Sequence, residues 1–458
     1  MIAFVRGQKL RLALILACSV ALSPIVANGA GRALFHAALL RSTPAANSHL
    51  TLAPDSIRLV FSEGVVSRLS HISVVGPDGK AAVLGVANDP RDTRTLVGAM
   101  QVGANGRYQV VWHVVSADGH PVSGNFEFTV DAAPTQATAA SSSSTGVVRK
   151  TPDTLKNAAA GAAFDSTKTD ALPRIYPATP TENPSTPILA SLLRGLGLGA
   201  LMAGLGLLFF ATTAQNRPVR SSAPITLIAL GSVLLVAHLV AWLRDISPGG
   251  AFDGAFIASV FGSTPGRAEL LRVALALLTL AAAALVRRGR LTVILGAACL
   301  LVSGAIGHPA GIQPLWTIPS KAIHLLSGAA WLGGLLWLVT GCRGEDVDFP
   351  AEARRVSNIA LISVILVLLS GIIQIRFFLQ QPSDLIHSSY GRLASLKIIG
   401  LLALIGLGAF NRYLLLPAVG DSATRPALAR TVRQEVAIMA VLIIIGGFLA
   451  YVPTPSSQ

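Results

Sequence analysis

Asp118 and His120 stand two residues apart, on either side of Gly119, in the stretch VVSADGHPVSGNFEFTV from Val114 to Val130. On an extended chain, side chains at i and i+2 point to the same side. A carboxylate and an imidazole so placed supply half of a metal site, so the rest must come from elsewhere in the sequence. The other histidines are His36, His49, His71, His113, His238, His308, His324 and His387. Soft ligands are scarce: the three cysteines form no CxxC pair, and there are four methionines including Met1. Cys18 lies in the N-terminal leader, Cys299 in an apolar span and Cys342 just beyond one, so no disulfide framework is expected.

The elements that position these residues follow from composition. The chain has 458 residues, of which 52% are hydrophobic and 13% charged. Mean hydropathy is +0.62. Long apolar runs recur in the second half, which is the composition of an integral membrane protein, so a lipid bilayer is an expected partner. The net charge of +14 does not point to nucleic acid, because Lys and Arg are scattered and many flank the apolar runs. Membrane topology explains them better.

Residues 1–33 read as a signal peptide, with Arg6, Lys9 and Arg11 ahead of the apolar run LALILACSVAL. Residues 36–130 alternate in short segments, SIRLVFSE, HISVVGP, RYQVVWHVV and GNFEFTV, separated by turns such as PDGK and GANGR. This pattern predicts an all-β sandwich or barrel. Residues 131–186 are rich in Ala, Ser, Thr and Pro and predict a disordered linker. Residues 187–453 predict an all-α polytopic bundle of eight transmembrane helices, near 188–212, 224–243, 268–286, 291–307, 319–340, 356–379, 393–416 and 435–452.

If the β domain is exported, the first span enters from outside. The loops expected to be cytoplasmic then hold Arg217 and Arg220, RRGR at 287–290, Arg343, Arg354, Arg355, Arg412, Arg425, Arg430 and Arg433. Those expected outside hold mainly Arg244, Arg267 and Lys321. The positive-inside rule agrees, giving an N-out, C-out topology. An internal duplication of four spans plus four spans in parallel orientation is also expected: STPGRAELLRVALALL from Ser263 resembles SSYGRLASLKIIGLLAL from Ser388.

Several stretches are similar to known families. HAALLRSTPAAN from His36, IRLVFSE and VVSADGHPVSGNFEFTV resemble the CopC family of periplasmic copper-binding β-sandwiches. SGAIGHPAG, AIHLLSGAAWLGGLLWL, RRVSNIALISVILVLLSGI, YGRLASLKIIGLLALIGLGAFNRYLLLP and RQEVAIMAVLIII resemble its membrane partner, CopD. The resemblance covers nearly the whole chain apart from leader and linker, so it implies a CopC–CopD fusion with a CopC-like sandwich of cupredoxin or Ig-like Greek-key type. It also implies a Cu(II) site built from His36, Asp118 and His120, and Cu(II) suits nitrogen and oxygen donors in tetragonal geometry. In the family the leader is cut just before the histidine, and the free amine also binds. Here Leu34 and Phe35 precede His36, so cleavage after Ala30 or Ala33 is expected to leave a short overhang. His113 reads as structural, while His49 is a candidate helper of His36.

The expected function is copper homeostasis: Cu(II) is bound in the periplasm and passed to the membrane domain for import across a bacterial inner membrane, with other periplasmic proteins as copper donors. His308 and His324, at the outer ends of consecutive spans, are the candidate receiving site, the short loop between those spans keeping them adjacent. His238 lies toward the outer end of the second span and His387 in an outer loop. Two alternatives stay open: a membrane redox protein with haem b between paired histidines, or a copper-sequestering or sensing protein without transport. No phosphate-binding loop, nucleotide motif or Ser–His–Asp arrangement is seen, which disfavours an ATP-driven pump; the leading expectation is a copper-handling protein and not an enzyme.

Overall fold

A computed structural model describes residues 37, 39–52, 54–100, 104–131, 188–213, 222–247, 252–286, 289–311, 314–342, 348–421, 424–452 and 454–455. The expected leader, the linker and His36 lie outside these residues.

The first domain is two stacked sheets. One has the order β1 (Leu39–Thr43), β3 (Ser56–Phe61), β7 (Asp92–Ala99), β6 (Val86–Asp89). The other has the order β2 (His49–Leu50), β9 (Pro121–Val130), β8 (Gly106–Val115), β4 (His71–Val75), β5 (Ala81–Leu84). Period-two alternation puts Ile57, Leu59, Phe61 and Leu96 on the inner face of the first sheet. Val74, Val110, Trp112, Phe126 and Phe128 face them from the second. Phe61 meets Trp112 edge-on at 5.2 Å between ring centroids. Each fully buried Ile, Leu or Phe contributes about 1.5–3 kcal/mol through loss of apolar surface.

The long pair β8–β9 runs antiparallel from Gly106↔Val130 to Val115↔Pro121. Residues 116–120, SADGH, are therefore the loop closing this hairpin, not the extended run that the i, i+2 spacing suggests. Gly119 sits at φ +92°, a value that favours glycine. Val65 bridges to Ser116, and Ala117 N–H donates to the Gly64 carbonyl at 2.7 Å, which ties the loop to the far end of β3.

The second domain contains α1 (Ile188–Thr213), α2 (Ala223–Ile246), α3 (Gly254–Gly262), α4 (Thr264–Ala281), α5 (Gly289–Gly304), α6 (His308–Gly311), α7 (Pro314–Leu336), α8 (Phe349–Phe378), α9 (Asp384–His387), α10 (Ser389–Phe410) and α11 (Thr424–Leu449). Among the described residues seven helices are long and apolar enough to cross a membrane. The eighth expected span corresponds to α5, which is apolar but 16 residues long. α1 is the central helix, buried along most of its length and packed on α2, α5, α7 and α11. Its contact with α7 is glycine on glycine: a Cβ on Gly206 would lie 2.0 Å from the Ala329 carbonyl oxygen and 2.8 Å from Gly333 Cα. Such close backbone approach is how helices associate where lipid removes the hydrophobic driving force.

The repeat read from the sequence has a structural counterpart. Ser263 caps α4 by accepting from Gly266 N–H at 3.1 Å, and Ser388 caps α10 by accepting from Gly391 N–H at 2.8 Å. A short helix, α3 or α9, precedes each cap. Each long helix then widens into a π turn, at Ala282–Val286 and at Asn411–Leu415.

Candidate metal centre

The hairpin loop 116–120 is folded around the Asp118 carboxylate. Ser116 Oγ donates to Asp118 Oδ1, and His120 N–H points at the same oxygen at 3.3 Å. His120 Nδ1 lies 3.0 Å from Oδ1. The loop thus brings Asp118 and His120 together by turning the backbone. Ala37, the residue after His36, is buried, and its N–H donates to Glu63 Oε1 at 2.7 Å.

The loop does not face solvent. It is pressed onto the end of the bundle. Val66, Leu69 and Val115 of the sandwich pack with Leu239, Trp242 and Ile246 of α2 and with Phe256 and Val260 of α3. Trp242 Nε1–H donates to the Gly119 carbonyl at 2.7 Å. A Cβ on Gly119 would lie 3.3 Å from Pro265 Cβ, so the glycine serves both its backbone angle and this contact.

His308, the first residue of α6, completes the cluster. Its Nδ1 lies 3.1 Å from Asp118 Oδ2. Its Nε2 lies 3.1 Å from the Leu449 carbonyl oxygen and 2.9 Å from that of Val452. A carbonyl only accepts, so Nε2 carries the hydrogen, and a neutral ring then turns the lone pair of Nδ1 toward a carboxylate oxygen. Two acceptors at 3.1 Å need a positive charge between them, either a proton or a metal ion. A first-row divalent ion with bonds of about 2.0 Å at right angles spans roughly 2.8 Å between adjacent nitrogen and oxygen donors. Among the described residues no three His, Cys, Asp or Glu side chains are arranged to hold a metal ion as they stand. Asp118, His120 and His308 are buried neighbours of the nitrogen-and-oxygen type that Cu(II) prefers.

A second layer lies beneath. Tyr451, just past α11, stacks edge-on against His120 with centroids 4.9 Å apart. His238 on α2 joins Tyr451 Oη through Nε2 at 2.5 Å, and Arg272 on α4 donates to His238 Nδ1 at 2.8 Å. Arg272 also pairs with Glu269. Because arginine only donates, His238 Nε2 carries the hydrogen toward the tyrosine. Trp242, Glu269, Arg272 and Tyr451 were not singled out by sequence reasoning. The signal was present: Glu269 and Arg272 are charges inside an apolar helix, where ionisable groups are functional candidates by default.

The remaining histidines are dispersed. His324 Nδ1 meets Ser370 Oγ of α8 at 3.0 Å, so His308 and His324 do not share a partner. His324 is ten residues into α7, about 15 Å along its axis from Pro314 at 1.5 Å per residue. A short loop joins the ends of two spans but leaves a residue three turns up the second span at a different depth. His49 pairs with Asp131 at 3.1 Å. His113 stacks on His71 at 5.0 Å and bonds Ser123 Oγ at 2.7 Å. Exposed His387 bonds the Ser383 carbonyl at 2.9 Å.

Comparison with known proteins identifies both halves. The CopC domain family matches residues 39–131, and the family Copper resistance protein D, or CopD, matches residues 350–449. Protein YobA of Escherichia coli (strain K12) is 38% identical over 97 residues, covering 21% of this chain and 78% of that protein. The chain belongs to the CopC and CopD families, joined in one polypeptide. Copper transport protein CutJ of Bacillus subtilis (strain 168) is 25% identical over 443 residues, 92% of this CopC–CopD chain and 74% of CutJ. The crystal structure of CopC from Methylosinus trichosporium OB3b matches 21% of this chain and 95% of its own, at 35% identity and a TM-score of 0.21. Copper is the metal these families implicate.

Proposed function

We propose that this CopC–CopD chain captures Cu(II) outside the cytoplasm with His36, Asp118 and His120 and passes copper to His308 for import across the inner membrane. One observation carries the reading: two imidazole Nδ1 atoms, one from each domain, converge on the two oxygens of Asp118 at 3.0 and 3.1 Å. A carboxylate held between a donor imidazole and a receiver imidazole lets copper exchange one nitrogen ligand for the other without leaving oxygen. His324, deeper along α7 and hydrogen-bonded to Ser370, is the next imidazole on the inward route. The basic residues of the loops on the opposite side favour an orientation with the sandwich outside. Other periplasmic copper proteins are the donors in this reading.

The test is the copper content of cells at matched membrane expression. Wild type is expected to raise it above cells lacking the gene. The His308→Ala, His324→Ala double variant is expected to lose that rise while the membranes still bind Cu(II). Wild-type accumulation by the double variant would remove these histidines from the mechanism.

A further inference from the structure

Directly beneath the metal centre the bundle interior carries more positive than negative charge. Arg272 is 0% exposed. Its Nη2 serves His238 and Glu269, but Nε and Nη1 are buried with no hydrogen-bond partner among the described residues. Arg194 on α1 is also buried and lies within electrostatic reach of Arg272. So does Lys321 on α7. Arg194 Nη2 and Lys321 Nζ both donate to one carbonyl, that of Ile306, at 3.0 and 2.7 Å. Glu269 pairs with Arg272 and lies within electrostatic reach of Arg194 and Lys321, and Lys397 on α10 lies within reach of Lys321. Asp118 also lies within reach of Arg194.

A guanidinium does not give up its proton inside a protein, so Arg194 and Arg272 remain charged. Burying a charge without a counter-charge is costly, and a donor edge left unsatisfied adds to that cost. Among the described residues two carboxylates, Glu269 and Asp118, stand against four basic side chains, Arg194, Arg272, Lys321 and Lys397, which leaves the region short of negative charge. There is also a small cradle beside it. Gly307 has φ +86°, and a Cβ built there would lie 3.7 Å from Arg194 Nη2 and 3.9 Å from Lys321 Nζ, with the Ala450 carbonyl oxygen also at 3.9 Å. Ser191 Oγ on α1, fully buried, is a further polar atom without a hydrogen-bond partner among the described residues.

We propose that this cluster binds a small monovalent inorganic anion, of the chloride class, between α1, α4 and α7 on the unpartnered edge of Arg272. The anion supplies the missing negative charge and lowers the repulsion that the two arginines and the lysine exert on a copper ion at Asp118 and His308. That second role rests on the copper reading, whereas the binding itself does not.

The experiment uses the purified full chain without copper. Equilibrium dialysis with radioactive chloride, at ionic strength held constant with gluconate, is expected to give saturable binding of about one chloride per chain, displaced by bromide. The thermal unfolding midpoint is expected to rise with chloride over the same range. Arg272→Gln is expected to weaken binding at least tenfold. Should that variant not fold, Arg194→Gln leaves the Glu269–Arg272–His238 chain in place and is expected to show the same loss. No saturable chloride binding by the wild type, or unchanged binding in either variant, overturns the proposal. Copper takes no part in these measurements, so their failure leaves the copper reading standing, and a failure of copper import leaves the anion result untouched.

Discussion

Asp118 of the sandwich and His308 of the bundle, 190 residues apart in sequence, meet at 3.1 Å between Oδ2 and Nδ1. Asp118 is thus a ligand candidate shared by two domains, and its other oxygen faces His120. Replacing Asp118 or His120 by Ala in the full chain should weaken Cu(II) binding by well over tenfold, more than about 1.4 kcal/mol. Competition with a chelator of known affinity measures this. Unchanged affinity in both variants would end the assignment of the loop as a copper site.

One directed hydrogen bond holds the sandwich to the bundle beside the Asp118–His308 contact: Trp242 Nε1–H to the Gly119 carbonyl at 2.7 Å, set among apolar side chains. Trp242→Phe keeps most of the apolar surface and removes the donor. The net worth of such a bond is about 0.5–1.5 kcal/mol, so the undocked population should rise several-fold. Interspin distances between a label on β5 and one on α3, measured by pulsed EPR, should broaden in the variant. An unaltered distribution would show that this hydrogen bond does not set the pose.

The stacked pair His71 and His113 makes the sandwich sensitive to acid. Burial, with a smaller contribution from His71, pushes the His113 imidazole down to about 4, and burial also lowers His71. Both folded values lie below the unfolded value of 6.5. The unfolded chain therefore takes up protons first as pH falls, so stability is full above about pH 6.5 and declines as pH drops toward about 4. Hydrogen exchange in β8 should accelerate from pH 7.5 to pH 5, after correction for intrinsic rates, and His113→Gln should flatten that dependence. An equally steep dependence in the variant would place the titrating group elsewhere.

Much of this architecture was legible in the chain because its physics is local. Alternation in RYQVVWHVV and GNFEFTV marks β8 and β9, and the apolar runs mark the long helices. The pairing of Asp118 with His120 was legible for a partly different reason than spacing alone suggests, since a hairpin loop with Gly119 at φ +92° brings them together. The meeting of Asp118 with His308 was not legible. It depends on how the two domains dock, and Trp242 and Val115 read as ordinary apolar residues until the interface is seen. Tyr451 escaped notice because its importance comes from His238 and His120, neither near it in sequence. The expected adjacency of His308 and His324 rested on loop length, which constrains helix ends and not residues three turns along a helix.

The central claim is that copper passes from the Asp118 carboxylate to His308 and on across the membrane. Uptake of radioactive copper into sealed vesicles containing only the purified full chain tests it most directly. Saturable uptake is expected for the wild type, with a loss of at least tenfold in Asp118→Ala and in His308→Ala, while His308→Ala still binds Cu(II) on its outer face. No uptake by the wild type, or undiminished uptake by His308→Ala, would contradict the account.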